Sequence, residues 1–263
     1  MIEINGEIIE QNHFPDGTLL LKEEGKWCGG GAHMIEWYFE NNEELVTLIF
    51  LTKHLKHYCP RKAIKLYMYY IPNARQDRVK TSEDVFTLKY FAETINYLGF
   101  DEVHVLDPHS SVSEALIDQI VVESPKMFID KAINKCNPDM LFFPDEGAMK
   151  RYSNMVKKEY SFGIKRRNWE TGKIEGLDVA GCVDKIKDSN ILIVDDICSR
   201  GGTFYHSAKK LKELGANKIY LYVTHCENTI LEGELLTSGL IEKVYTTDSI
   251  FTKEHEMIEV IKL

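Results

Sequence analysis

The stretch of sequence that decides the fold reads Ile191-Leu192-Ile193-Val194-Asp195-Asp196-Ile197-Cys198-Ser199-Arg200-Gly201-Gly202-Thr203. Its first four residues are all apolar, which predicts a strand buried on both faces. Two carboxylates follow, then a short loop of small and polar residues. A helix is predicted over residues 203–214, ending before Gly215, which suits a left-handed helix cap. A buried strand that leads through a loop into a helix is part of a βαβ unit, so this stretch predicts an α/β fold.

The same alternation of short apolar runs and amphipathic stretches extends over most of the chain. Strands are predicted at 64–71, 102–106, 140–143, 191–194, 218–223 and 243–246, and helices at 43–57, 82–98, 126–135, 148–158 and 203–214. Residues 1–24 predict an antiparallel ribbon with a turn at Pro15-Asp16-Gly17. One series of strands and helices ends near Ser124-Pro125 and a second begins there. We therefore expect two domains, 1–124 and 125–263, each with a mainly parallel sheet flanked by helices.

Composition excludes several classes of protein. The 263 residues are 44% hydrophobic and 28% charged, which is ordinary for globular proteins, and the formal charge of −9 is a poor match for nucleic-acid phosphates. No window approaches the ~20 apolar residues of a membrane helix, and the start lacks the basic region of an export signal. The six cysteines form no C-x-x-C pair, so reduced thiols are expected instead of a zinc site. These observations predict a cytoplasmic protein that binds neither nucleic acid nor membrane.

The loop after the decisive strand has the features of a site for one phosphate group. Successive backbone N–H groups and the positive end of the following helix can surround an anion at such a loop. Gly201 and Gly202 let the backbone approach the ligand closely, and Ser199 and Thr203 add hydroxyl donors. The paired carboxylates Asp195 and Asp196 suit two vicinal ribose hydroxyls or a Mg²⁺ ion. The alternative is an ordinary glycine-rich turn after a buried strand.

This segment resembles the phosphoribosyl-diphosphate loop of the type I phosphoribosyltransferase fold. Three further segments, in the same order as in the family, make the whole chain similar to ribose-phosphate diphosphokinase, also called phosphoribosyl-diphosphate synthetase. They are Pro72-Asn73-Ala74-Arg75-Gln76-Asp77-Arg78, Asp107-Pro108-His109-Ser110 and Pro144-Asp145-Glu146-Gly147. Phe14-Pro15-Asp16-Gly17 and Ile164-Lys165-Arg166-Arg167 complete the set. The resemblance covers residues 14–249, and the A-R-Q-D-R motif is nearly specific to this family.

The resemblance implies an enzyme that transfers the β,γ-diphosphate of ATP to the anomeric hydroxyl of ribose 5-phosphate, with Mg²⁺ as cofactor. It assigns the two expected domains as phosphoribosyltransferase-like, 1–124 carrying the ATP-binding elements and 125–263 the ribose-phosphate loop. The implied ATP-binding residues are Phe14, Asp16, Arg75, Gln76, Arg78 and His109. The implied ribose-phosphate-binding residues are Asp195, Asp196, Ser199, Arg200, Gly201, Gly202 and Thr203.

The remaining roles follow from the same resemblance. His109 and Asp145 are the implied metal ligands. Lys165 and Arg167 are the implied catalytic cations, on a flap over 165–176 that could close over a developing negative charge. The resemblance places the adenine of ATP on Phe14, which the family supplies from a neighbouring subunit, so it also implies a homo-oligomer.

The sequence also departs from the family pattern. The family's D-G-E reads Asp16-Gly17-Thr18, which lacks one carboxylate, and its D-T-G-G-T reads Ser199-Arg200-Gly201-Gly202-Thr203, which is more positive. Flanking segments at both ends are missing or reduced relative to the family, so this is a short form in which allosteric control is in doubt. Three alternatives stay open. The first is the same chemistry on a larger acceptor such as ADP-ribose, which Arg200 suggests. The second is a phosphoribosyltransferase, and the third is a non-catalytic regulatory homologue.

Overall fold

The computed structural model of the chain describes residues 1–22, 30–167 and 174–263, and it leaves aside the side chains of 165–167, 174 and 175. The chain divides into two compact units, Met1–Ser124 and Pro125–Leu263. In the described part of the chain, every helix falls short of the length and apolar character that a membrane span requires.

The first unit contains most of the helices and strands predicted for it. Its elements in chain order are β1 (Ile2–Ile4), β2 (Glu7–Ile8), β3 (Asn12–His13), β4 (Leu19–Leu20), β5 (His33–Trp37), α1 (Glu43–Tyr58), β6 (Ile64–Met68), α2 (Thr87–Leu98), β7 (Glu102–Leu106), α3 (Ser111–Leu116) and β8 (Ile120–Glu123). Strand β7 has the predicted bounds. Strands β5 and β8 and helix α3 were not predicted, because their short apolar runs lack a clear period.

The strands of this unit form a six-stranded sheet in the order β2-β1-β5-β6-β7-β8. Neighbours from β5 to β8 run parallel, whereas β1 pairs antiparallel with both β2 and β5. Alternate residues of β6, namely Ile64, Leu66 and Met68, are buried in a core that includes Leu48 of α1 and Phe91 of α2. The sheet is therefore mainly parallel, as predicted, with antiparallel strands at one edge.

Two predictions for this unit need correction. Residues 1–22 form two short hairpins, β1–β2 and β3–β4, instead of one ribbon, and the turn at 15–17 belongs to the second. Helix α2 starts at Thr87 and not at residue 82. The carboxylate of Asp84 accepts backbone N–H bonds from Lys80 and Thr81, both 2.8 Å, and these bonds hold the preceding residues in a turn.

The second unit has a longer sheet. Its elements are α4 (Lys126–Cys136), β9 (Met140–Phe143), α5 (Glu146–Tyr152), β10 (Tyr160–Arg167), β11 (Ile174–Gly181), β12 (Ile191–Cys198), α6 (Gly202–Glu213), β13 (Ile219–Cys226), β14 (Lys243–Thr247) and β15 (Ile258–Ile261), with short 3₁₀ helices at Val183–Lys185 and Asn228–Glu232. The strand order is β11-β10-β9-β12-β13-β14-β15. All neighbours are parallel except the antiparallel edge pair β10–β11.

Strand β12 lies inside this sheet, between β9 and β13. Its first four residues are fully buried, which explains why the sequence shows an unbroken apolar run there. The helix predicted at 148–158 occupies Glu146–Tyr152 instead, since Asp145 caps its first turn through the backbone N–H of Ala148 at 3.1 Å. The sequence also missed strands β10, β11 and β15.

Among the described residues, four cysteines are reduced thiols, namely Cys136, Cys182, Cys198 and Cys226. Cys59 is disulfide-bonded, so the expectation of reduced thiols throughout is wrong for that residue.

Candidate active site

The loop predicted to bind phosphate lies at the carboxyl end of β12, the edge of a parallel sheet where α/β proteins bind ligands. Strand β12 runs through both carboxylates to Cys198, so the loop is only Ser199 to Gly201. Helix α6 starts at Gly202, one residue before the predicted start. Gly202 and Thr203 are both exposed at the helix N-terminus, where backbone N–H groups lack partners within the helix.

Two glycines allow the chain to close tightly around this loop. Gly201 has φ +79°, and a Cβ built on it would lie 2.9 Å from Leu235. A Cβ on Gly233 would collide with the backbone oxygen of Arg200. A Cβ on Gly202, by contrast, would meet nothing within 4 Å. The backbone is thus packed from beneath at Gly201 and open at Gly202, the side from which an anion can approach.

Carboxylates from residues 227–232, which follow β13, bind the side chains of Ser199 and Arg200 in the loop. The Ser199 hydroxyl donates to Oε2 of Glu227 at 2.8 Å, and the Thr229 hydroxyl donates to the same oxygen at 3.0 Å. The guanidinium of Arg200 pairs with Glu232 at 3.0 Å, with both side chains largely exposed. The phosphate-binding roles of Ser199 and Arg200 therefore stay predictions, and each requires the side chain to exchange a carboxylate for the ligand.

The two adjacent carboxylates of β12 have different surroundings. Asp196 is buried and pairs with Nη1 of Arg151, on α5, at 3.1 Å. Asp195 accepts the backbone N–H of Asp196 at 3.0 Å. Burial raises the pKa of Asp195 well above its ordinary value, and the negative charges of Asp196 and Asp145 raise it further. Negative charge is therefore concentrated around Asp195, which suits a ligand that brings hydroxyl donors or a cation.

In the first unit, the A-R-Q-D-R motif lies on the loop between β6 and α2. Asp77 is buried and accepts both Nε and Nη2 of Arg78, at 2.6 and 2.8 Å, in a two-pronged contact. The amide oxygen of Gln76 accepts the hydroxyl of Thr87, the first residue of α2, at 2.7 Å. Arg75 is exposed. The motif is thus a fixed loop that presents cationic groups, with Asp77 as its buried anchor.

The second motif of this unit joins the first. The pKa of Asp77 falls from 3.8 to about 2, mainly because Arg78 donates hydrogen bonds to its carboxylate, with smaller effects from the Ser110 hydroxyl and the charge of His109. Asp107, which opens this second loop, has φ +44°. The structure therefore brings together Arg78 and His109, two of the predicted ATP-binding residues, around one carboxylate that sequence reasoning did not assign.

The predicted adenine platform lies on the β3–β4 hairpin. Phe14 is 49% exposed, and its backbone N–H donates to the carbonyl of Thr18 at 2.9 Å. Asp16 accepts both the backbone N–H and the hydroxyl of Thr18, at 3.0 and 2.7 Å, and the backbone bond is the main cause of its lowered pKa. Asp16 therefore stabilises the turn, while Phe14 offers an open apolar ring.

The predicted catalytic flap coincides in part with the β10–β11 hairpin. The backbone of Lys165 pairs with Leu177, and that of Arg167 with Ile174. The side chains of Lys165 and Arg167, and residues 168–173 entirely, lie outside the described residues. Their catalytic roles stay predictions.

Three residues that matter to this geometry escaped sequence reasoning. Arg151 and Glu227 are distant in sequence from the residues they hold, and a single charged residue on a helix or after a strand carries no local signal of its partner. Asp77 lies inside a recognised motif, but its burial could not be deduced from a loop sequence. The available signal was its position between Arg75 and Arg78, which indicates an ion pair with one of them but not burial.

The predicted magnesium ligands fit such an ion only in part. Within the described residues, no group of three or more His, Cys, Asp or Glu side chains is placed to hold a metal. Carboxylates are the ligands Mg²⁺ prefers, and Asp145 and Asp195 contribute to one region of negative charge. Mg²⁺ in nucleotide sites commonly uses one or two carboxylates and completes its shell with phosphate oxygens and water. The donor set fits an ion of that kind that arrives with a phosphate ligand.

Two mainly parallel sheets flanked by helices, with the strand, loop and helix of 191–213 at one sheet's carboxyl edge, define a phosphoribosyltransferase-like α/β protein. The solved structure of phosphoribosylpyrophosphate synthetase from Mycobacterium smegmatis has the same fold, with a TM-score of 0.80 and 18% identity over 97% of this chain and 86% of that one.

Curated sequences extend the comparison, although no family model matches the chain. A ribose-phosphate pyrophosphokinase of Thermococcus kodakarensis is 29% identical over 252 residues, covering 93% of this chain and 86% of that protein. One from Shewanella oneidensis is 26% identical over 255 residues, covering 95% and 80%. Pyrophosphokinase and diphosphokinase are two names for one activity. The chain is therefore a relative of the ribose-phosphate pyrophosphokinases, and the resemblance drawn from its motifs is confirmed.

Proposed function

We propose that the chain is a ribose-phosphate diphosphokinase, which transfers the β,γ-diphosphate of ATP to ribose 5-phosphate and releases AMP. The observation that carries the proposal is the combination of two features. Relatives with this activity in their names match over more than nine-tenths of the chain, and four of the motifs that carry the resemblance follow the carboxyl ends of strands β6, β7, β9 and β12. The products are phosphoribosyl diphosphate and AMP.

In this proposal the second unit holds the acceptor. The N-terminus of α6, with Gly202 and Thr203 open, surrounds the 5-phosphate with backbone N–H groups. Asp195 and Asp196 accept the 2- and 3-hydroxyls of the ribose. Fixing both ends of the sugar restricts its rotation, so that the anomeric hydroxyl is held for attack.

The first unit supplies cations for the donor. Arg75, Gln76, Arg78 and His109 would bind the triphosphate and base edge of ATP, and Phe14 and Asp16 would form the adenine site. The anomeric hydroxyl loses its proton to solvent as its oxygen attacks the β-phosphorus, the bond from that phosphorus to the α,β-bridging oxygen breaks, and AMP leaves with the electron pair. Lys165 and Arg167 offset the charge that develops on the transferred group.

A Mg²⁺ ion, held by His109 or Asp145 together with phosphate oxygens, would neutralise negative charge at the reacting phosphorus. We also propose a homo-oligomer, because the family completes its adenine site from a neighbouring subunit, and a cytoplasmic location. Light scattering of the purified chain measures its mass and tests the assembly.

The alternatives have less support. The ADP-ribose alternative rests on Arg200, and that guanidinium already pairs with Glu232. The phosphoribosyltransferase alternative conflicts with the names of the curated relatives, which denote pyrophosphokinases. The regulatory alternative has no feature in its favour, since the motif residues Arg75, Arg78, His109 and Asp145 are all retained.

The test is to incubate the protein with ATP, Mg²⁺ and ribose 5-phosphate and to identify the products by mass spectrometry. We expect phosphoribosyl diphosphate and AMP in equal amounts. A double variant, Asp195→Asn with Asp196→Asn, should lose turnover because it removes both negative charges and leaves one acceptor oxygen on each side chain, whereas Asp184→Asn, at an exposed carboxylate of the same unit, should retain it. ADP with phosphorylated ribose, or product formation only with ADP-ribose, would contradict the proposal.

A further inference from the structure

Arg151 contacts the buried carboxylate of β12 from a neighbouring helix. Its Nη1 lies 3.1 Å from Oδ2 of Asp196, whose side chain is only 6% exposed, and 27% of the arginine side chain is exposed. A carboxylate removed from water in this way is stable only when a cation or several donors replace the solvent. Arg151 supplies that charge.

The guanidinium is itself held in place by the next residue of α5. Nη1 lies 3.4 Å from the hydroxyl of Tyr152, and the guanidinium carbon lies 5.6 Å from the centre of that ring. Tyr152 is 1% exposed and stacks against Phe143 at the end of β9. Because the aromatic ring is fixed in the core, the guanidinium has a defined position before any ligand binds.

Asp195 has a different environment. Its backbone neighbour Asp196 carries the arginine contact, and Asp195 accepts the Asp196 backbone N–H. Two adjacent carboxylates in a partly buried strand repel each other, and that repulsion favours side-chain positions that separate the charges. A cation fixed against Asp196 opposes the separation of the two side chains. It keeps the carboxylates of Asp195 and Asp196 where a ligand with two hydroxyls can bind both of them.

We propose that Arg151 is a positioning residue for ribose binding, which acts by fixing the Asp196 carboxylate. The inference rests on the proposed function, because it takes Asp195 and Asp196 as acceptors of the ribose hydroxyls. Arg151 itself does not touch the sugar. Its effect is therefore confined to acceptor affinity and depends on Asp196.

The experiment compares Arg151→Gln and Arg151→Lys with Lys150→Gln, a matched loss of one positive charge at an exposed position of the same helix. Arg151→Gln should raise the KM for ribose 5-phosphate by roughly 10-fold or more, the factor for weakening one hydrogen bond to a charged group. The kcat and the KM for ATP should change little. Arg151→Lys should give an intermediate KM, because it keeps the charge and loses the planar fork. Lys150→Gln should behave as wild type.

A double-mutant cycle, with the affinity for ribose 5-phosphate measured by calorimetry, distinguishes a positioning role of Arg151 from a role in stability alone. In an Asp196→Asn background, Arg151→Gln should have little further effect on affinity, whereas a structural role would add its full loss. If Arg151→Gln does not fold, Arg151→Lys decides, and an unchanged KM there overturns the inference. If a folded Arg151→Gln protein keeps the wild-type affinity for ribose 5-phosphate, the inference is overturned and the proposed function still stands. A wild-type protein that neither binds ribose 5-phosphate nor turns it over overturns the proposed function, and the inference with it.

Discussion

Replacing each of the two consecutive glycines of the phosphate loop by alanine should have opposite consequences. At Gly201 the backbone has φ +79°, where an alanine costs about 1–2 kcal/mol relative to glycine. The new methyl would also lie 2.9 Å from two carbons of the buried Leu235, and such overpacking costs about 1–3 kcal/mol. Gly201→Ala should therefore destabilise the second unit by about 2–5 kcal/mol.

Gly202→Ala should leave stability unchanged or slightly higher. A Cβ there meets nothing within 4 Å, and alanine is the better helix former by up to about 1 kcal/mol. The methyl would instead occupy space beside the N-terminus of α6, where the 5-phosphate is proposed to bind. We expect a higher KM for ribose 5-phosphate with an unchanged KM for ATP.

The stability of the two variants is to be compared by denaturant unfolding monitored by far-ultraviolet circular dichroism. Their kinetics are to be compared at steady state with each substrate varied in turn. A Gly201→Ala protein that unfolds at the wild-type denaturant concentration would show that Leu235 yields without cost and would refute the packing argument. A stable Gly202→Ala protein with wild-type KM for ribose 5-phosphate would refute the position assigned to the phosphate.

Two further predictions concern charge. Because the pKa of Asp77 is lowered to about 2, the stability it contributes is complete above its ordinary value of 3.8 and is lost as the pH falls from about 4 through 2. Acid unfolding of Asp77→Asn should show a weaker pH dependence in that window than wild type, and identical curves would remove Asp77 as an anchor. Asp145→Asn keeps an N-cap acceptor for Ala148 and loses the charge, so it should raise the Mg²⁺ concentration needed for half-maximal activity, as should His109→Ala. Activity in excess chelator, or a Mg²⁺ dependence that neither variant changes, would contradict the metal assignment.

Sequence alone determined the fold class and the main parallel strands. The bounds of β7 and β9 were predicted to the residue, because each is a short segment of strand-forming residues with Asp or Pro in the turns on both sides. The motifs also determined the family, since A-R-Q-D-R and the loop at 199–203 combine unusual residues at fixed spacing.

The sequence did not give the correct ends of helices where local hydrogen bonds compete with the helical periodicity. Helix α2 starts five residues after the predicted start because Asp84 stabilises a turn, and α5 ends at Tyr152 although the pattern continues. The hairpin β10–β11 was missed because β10 carries Ser161 and Gly163 where a strand pattern would show apolar residues, and β11 contains Gly176 and Gly181, so neither segment reads as an apolar run.

Tertiary structure alone decided the electrostatics of the site. Arg151 pairs with Asp196, 45 residues away in sequence, and Glu227 accepts a hydrogen bond from Ser199, 28 residues away. The residues next to each of these in sequence give no indication of its partner. The charge state and orientation of a carboxylate depend on what lies within about 4–6 Å of it in three dimensions. Sequence therefore identified which residues form the loop and the acid pair, while the packing of α5 and of the segment after β13 determined how each of them is held.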